Sequence, residues 1–127
     1  RASYRPEDFL PLLDSGQIEF MEGDGEVAEG VAVFRTSGHN RDMQLVSIRS
    51  QGKTAVFLGD IIPTTAHLHL PYIMGYDLFP LETLKAKKEI LSQAASERWL
   101  LIFEHDPDAK MGFVTMRQGT PIFEKVL

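Results

Sequence analysis

Cysteine is absent from all 127 residues, which excludes disulfide frameworks and thiolate metal sites. Any metal must therefore be held by His, Asp or Glu. Basic charge is also in short supply: 13 Lys and Arg against 18 Asp and Glu leave a formal net charge of -5. A surface of that balance has no general attraction for phosphate backbones or anionic membranes, so neither nucleic acid nor a membrane is an expected partner. No apolar run approaches the roughly 18 residues that cross a bilayer, and there is no basic-then-apolar opening of the secretory kind. The lack of cysteine fits a reducing cytoplasm without requiring it, and a soluble cytoplasmic protein is the expectation. A methionine start is missing too. The chain opens on Arg1, which points to processing or to a piece of something longer. What is present, 43% hydrophobic and 24% charged residues, suits one globular domain over residues 1–127 with a single core.

Hydrophobic patterning divides the chain into strands and one strong helix. Residues 1–17 carry Pro6, Pro11 and Gly16 around Phe9, Leu10, Leu12 and Leu13, which predicts a short helix or an extended entry segment. Ile18–Met21 and Val31–Phe34 read as strands, with Gly23-Asp24-Gly25 as the turn of a hairpin. Met43–Arg49 and the run Thr54-Ala55-Val56-Phe57-Leu58 read as a second hairpin around Gln51-Gly52-Lys53. The continuous apolar character of the second strand predicts cover on both faces. Residues 61–79 form a long loop rich in Pro, Thr, His and aromatics, a kind of segment that is usually functional when ordered. Pro80 suits the first turn of a helix running to about Arg98, in which Lys85, Lys87 and Lys88 read as the solvated face. Trp99–Phe103 is a further buried strand, and Phe113–Met116 and Ile122–Val126 flank the turn at 118–121. The order predicts an α+β domain, a mostly antiparallel sheet with one long helix packed on it.

Three polar residues stand at strand ends: His39 after Gly38, Asp60 after Gly59, and His105 after Phe103-Glu104. Sheets fix the backbone at such ends while the adjoining loops stay accessible, so sites gather there. Two imidazoles and a carboxylate suit zinc or another divalent ion, and a carboxylate can bridge two ions. The separations are 60 − 39 = 21 and 105 − 60 = 45 residues, so no helical or hairpin spacing ties the three together. Each residue alone has a plainer reading, as a solvated histidine or a Gly-Asp turn. His67 and His69 lie in the loop after Asp60 and are candidates for the pocket or for orienting a metal ligand, beside the plain reading of solvent-facing histidines. Tyr72 and Tyr76 lie in the same loop. Either is a candidate hydrogen-bond donor to a developing oxyanion, against the alternative of loop packing. Met74, Leu78 and Phe79 are candidates for an apolar substrate wall.

Thr36-Ser37-Gly38-His39, Val56-Phe57-Leu58-Gly59-Asp60 and Phe103-Glu104-His105-Asp106-Pro107, in this order with a helix between the last two, resemble the C-terminal half of a metallo-β-lactamase-fold hydrolase. The resemblance covers nearly the whole chain and implies half of an αββα sandwich. It also implies that His39 binds one metal ion, His105 another, and Asp60 bridges them, with two zinc or similar divalent ions per intact site. Asp77-Leu78-Phe79-Pro80 and His105-Asp106-Pro107 are similar to the branch of lactonases and organophosphate hydrolases. No Cys-Gly-Arg follows Gly59-Asp60, unlike glyoxalase II and persulfide dioxygenase relatives.

One departure is large. The family's first ligands come from a His-x-His-x-Asp-His motif, and none occurs among the four histidines here; the pair His67-x-His69 lacks the following Asp and His. The implied partner is a missing N-terminal half or a homo-oligomer contact. The function that follows is metal-dependent hydrolysis of a small lactone, ester or phosphoester by a metal-activated water, with Asp60 as bridge and Tyr76 as donor. This chain would supply only part of the site and be inactive alone. The alternative is a non-catalytic binding or assembly module derived from the same fold.

Overall fold

Alternation along the strands decides which face of the sheet is covered. The computed structural model describes residues 5–127. Its strands are β1 (Gly25–Ala28), β2 (Val31–Thr36), β3 (Met43–Ser50), β4 (Lys53–Phe57), β5 (Leu100–Ile102), β6 (Met111–Arg117) and β7 (Thr120–Lys125). They form one sheet in chain order, antiparallel throughout except for the parallel pair β4 and β5. A parallel pair cannot be closed by a hairpin, and the crossover is made by the helix α2 (Pro80–Glu97). The α+β architecture with one long helix is as the patterning predicts.

Pro80 opens α2 with Glu82 in its first turn, where a rigid φ and a negative charge both favour a helix start. Its buried residues Thr83, Lys87, Ile90, Leu91 and Ala94 recur at helical spacing and make one stripe toward the sheet. The register sets what that stripe meets: Ser47 pairs with Val56 and Val56 with Leu101, so one face presents Leu45, Val56, Leu101 and Val114. These residues, with Leu58, Ile61, Ile62, Leu68, Trp99 and Phe103, form the core.

The other face is different. Val33, Val46, Phe57, Ile102 and Met111 pair in series across five strands, an apolar row that is only half-buried. Beside it Ile48 is exposed. The expectation of cover on both faces of the Ala55–Leu58 strand is therefore met on one face alone among the described residues. The short helix α1 (Pro6–Asp14) buries no residue, although Phe9, Leu10, Leu12 and Leu13 lie along it. No described helix is long and apolar enough to cross a membrane.

Two further expectations are corrected. The first hairpin does not use Ile18–Met21, which lies outside any strand, and its turn is Glu29-Gly30 between Ala28 and Val31. Gly30 has φ 72°, a left-handed conformation that glycine adopts without strain, and an added Cβ would lie 2.6 Å from the Arg49 carbonyl oxygen. Lys87, read as solvent-facing, is fully buried, whereas Lys85 and Lys88 are exposed. The hairpins at Gln51-Gly52 and Gln118-Gly119 fall where expected.

Leu101 is 0% exposed between sheet and helix, while Leu81 is 81% exposed on the first turn of α2. Leu101→Ala is expected to cost about 2–5 kcal/mol by lost burial and cavity formation. Leu81→Ala is expected to change stability by less than about 0.5 kcal/mol in the same urea titration. Equal effects would contradict the assignment of the covered face.

Candidate metal-binding site

The site forms where β2, β4 and β5 all end on one edge of the sheet. After β4 the chain buries Leu58, Gly59, Ile61, Ile62 and Pro63 through a short 3₁₀ turn, leaving the Asp60 side chain at the rim, 31% exposed. The apolar neighbours hold the turn, and the carboxylate is what it presents. After β5, the His105 N–H donates to the Pro63 carbonyl at 3.0 Å, tying the two strand ends together. Asp106 strengthens that tie: its Oδ2 accepts from the Thr65 N–H and hydroxyl, each at 2.7 Å, and its Oδ1 from the N–H groups of Asp108 and Ala109. Burial alone would push the Asp106 carboxyl up, but these hydrogen bonds outweigh it and hold the group well below the usual carboxylate range.

His39 is placed from the other side. Gly38 lies against the first turn of α2 so closely that an added Cβ would fall 2.7 Å from the Thr83 Cα and 2.8 Å from its backbone N. The Leu78 N–H donates to the His39 carbonyl and the Phe79 N–H to the Gly38 carbonyl, lacing the two segments together. Between them lies Asp77, its side chain only 1% exposed, with Oδ1 3.0 Å from His39 Nδ1 and Oδ2 accepting from the Thr83 hydroxyl at 2.9 Å.

The three expected residues come together. His39 Nε2 is 3.3 Å from Asp60 Oδ2, and His105 Nε2 is 3.2 Å from Asp60 Oδ1, so each imidazole addresses its own oxygen of one carboxylate. Glu104 joins them: Asp60, Glu104 and His105 have ligand atoms within 4.8 Å of one another. Its place beside His105 was the only signal in the sequence. Asp77 was likewise visible only as part of a motif, not as a partner of His39. Tyr76 sets its ring edge-on to His39 at 6.1 Å and is 72% exposed. Tyr72 and His69 pack on each other at 5.3 Å, and the Thr64 hydroxyl lies 2.8 Å from His67 Nδ1. Burial first, and then the Lys87 charge, lower the His67 pKa, partly offset by Asp77. Among the described residues, His67 and His69 make no hydrogen bond or ion pair with Asp60.

The donor set fits a divalent cation on two grounds. With Nδ1 engaged by Asp77, His39 turns Nε2 toward the Asp60 carboxylate, a nitrogen and an oxygen that can both serve as ligands to one ion. The distances point the same way. A charge-assisted N–H···O contact runs at about 2.7–2.9 Å, whereas two ligands on a tetrahedral ion with bonds of about 2.0–2.1 Å are about 3.3 Å apart.

No family model matches the sequence, and no curated protein matches it. Solved structures do. A probable metal-dependent hydrolase from Staphylococcus aureus is 26% identical, with a TM-score of 0.77 over 89% of this chain and 42% of its own. A hydrolase of the β-lactamase superfamily is 17% identical, with a TM-score of 0.84 over 96% of this chain and 43% of its own. A dizinc quorum-quenching lactonase is 16% identical, with a TM-score of 0.76 over 98% of this chain and 45% of its own. The fold is thus one shared with structures described as metal-dependent hydrolases. More narrowly, the chain has half of a metallo-β-lactamase fold and spans less than half the length of each of these structures.

Two substitutions test the placement of His39. Asp77→Asn can donate to Nδ1 and favour the opposite ring tautomer; it is expected to weaken metal binding about 10–100-fold in calorimetric titration. An unchanged affinity would remove Asp77 from the site. Gly38→Ala forces a methyl group onto the α2 backbone and is expected to cost more than about 1 kcal/mol on thermal unfolding.

Proposed function

We propose that this chain supplies one half of a metal-dependent hydrolase of the metallo-β-lactamase superfamily, acting on a small lactone, ester or phosphoester. The observation that carries the reading is the pair of imidazoles facing separate oxygens of Asp60. In this reading His39 would hold one ion, His105 the other, and Asp60 would bridge them, with zinc or another divalent metal and two ions in the intact site. Bound ions of this kind lower the pKa of a water and polarise the oxygen of the scissile group.

The residues of this chain do the positioning. Asp77 orients His39, and Asp106 with the Pro63 carbonyl holds the His105 strand end to the Asp60 turn. Tyr76, beside His39 and open to solvent, donates a hydrogen bond to charge developing on the substrate oxygen. Tyr72, His67 and His69 line the approach.

Two His and one Asp cannot complete two ion sites, so further ligands come from outside this segment. The half-covered apolar row on the outer sheet face and the unburied helix α1 support a second half docked there, whether from the same polypeptide or from a second copy. The acyl-homoserine product bound in the dizinc lactonase places lactones among the first substrates to try.

The test is metal content and hydrolysis measured together on the full protein. Asp60→Ala is expected to lose metal and activity in parallel, because a bridging ligand serves both ions. Activity retained without Asp60 would sink its assignment as the bridge, and no hydrolysis by the parent protein would sink the hydrolase reading. The present chain alone is expected to bind fewer than two ions and to be inactive; two tightly bound ions would mean that the half-site reading is wrong.

A further inference from the structure

Lys87 is 0% exposed on the inward stripe of α2, and among the described residues no carboxylate pairs with its ammonium group. Its Nζ donates instead to three backbone carbonyls of one loop: His69 at 2.8 Å, Leu70 at 3.1 Å and Tyr72 at 2.6 Å. That uses all three N–H bonds of the ammonium. A cation taken out of water this far is expensive, and an apolar side chain of the same length would fill the space at lower cost. Burial lowers the Lys87 pKa to about 8, with the nearby Asp77 acting in the opposite direction.

The loop explains why a cation is kept. It leaves the core at the buried Leu68 and returns at Asp77, whose side chain is buried. Between these anchors the recorded backbone bonds are local, from the Tyr72 N–H to His69 and from the Asp77 N–H to Met74. Gly75 has nothing within 4 Å of where a Cβ would stand. Yet this stretch carries Tyr72 and Tyr76, and Tyr76 must sit against the His39 ring.

We propose that Lys87 is a positioning residue, its buried ammonium gathering three carbonyls of residues 69–72 and so setting the loop wall that places Tyr76 against His39 at the metal-type site. Lys87 touches neither the substrate nor the donor residues; it acts through the loop. This inference rests on the hydrolase reading for its catalytic consequence, but not for its structural one.

The experiment compares Lys87→Met with Lys88→Met, an exposed neighbour, in the full protein. Chymotryptic cleavage after Tyr72 and Tyr76 is expected to rise at least about tenfold in Lys87→Met, because local opening replaces a clamped state. Lys88→Met should match the parent. Metal content is expected to stay unchanged while KM for the hydrolysed substrate rises more than kcat falls, the pattern of a displaced wall rather than a lost ligand. Lys87→Gln, which keeps two donors, should fall between. Wild-type cleavage in a folded Lys87→Met overturns the proposal. Cooperative unfolding of both variants overturns it as well, since Lys87 would then hold the core rather than the loop. If the protein hydrolyses nothing but the cleavage rises as stated, the loop clamp stands and the hydrolase reading falls.

Discussion

One carboxylate facing two imidazoles constrains everything around it. Asp60 presents one oxygen to His39 and the other to His105, at 3.3 and 3.2 Å, and these residues come from three separate strand ends. Such an arrangement suits a shared positive charge, and it persists only where the backbone prevents the groups from swinging apart. The surrounding hydrogen bonds supply that restraint. Asp106 and the Pro63 carbonyl fasten the His105 end to the Asp60 turn, while Asp77, Thr83 and two backbone bonds fasten the His39 end to α2. Each fastening joins segments far apart in sequence, so the site is a product of the tertiary fold.

The parallel β4–β5 pair is what makes this possible. Parallel neighbours end on the same edge, which puts Asp60 and His105 side by side, and the crossover they require delivers the loop and α2 to the same place. The helix then does more than cover the sheet. Its first turn receives Gly38 and Asp77, and its second turn sends Lys87 into the loop. Core packing by Ile90, Leu91 and Ala94 therefore holds the same element that organises the site.

Much of this was legible in local patterning. The α2 boundaries and the two later hairpins follow from Pro80 and from turn chemistry at Gln51-Gly52 and Gln118-Gly119, while polar residues at strand ends only suggested that His39, Asp60 and His105 meet and the motif resemblance joined them. What escaped depends on distant partners. Ile18–Met21 has strand-like composition, yet the hairpin forms at Glu29-Gly30 because the ladder of β2 with β3 runs through Val31–Ile48 and Gly30 fits against the Arg49 carbonyl. Lys87 lies among lysines that do face water, and only the returning carbonyls of residues 69–72 distinguish it. Asp77 is 38 residues from the histidine it binds.

The uncovered face of the sheet is the remaining constraint. A row of Val33, Val46, Phe57, Ile102 and Met111 spans five strands while staying half-buried, and its neighbour Ile48 is exposed. Apolar surface contributes about 25 cal/mol per Å² when removed from water, so a continuous row of this kind favours a covering layer. The same conclusion comes from the site. On the proposed two-ion reading, His39, Asp60 and His105, even with Glu104 beside them, are too few donors, so a layer that covers the row and adds ligands near Asp60 would satisfy both deficits at once. The solved structures of the same fold are longer, and this chain spans only 42–45% of them. Cover for the sheet and completion of the site are thus linked demands, and an occupant that met one without the other would leave Asp60 or the apolar row unsatisfied.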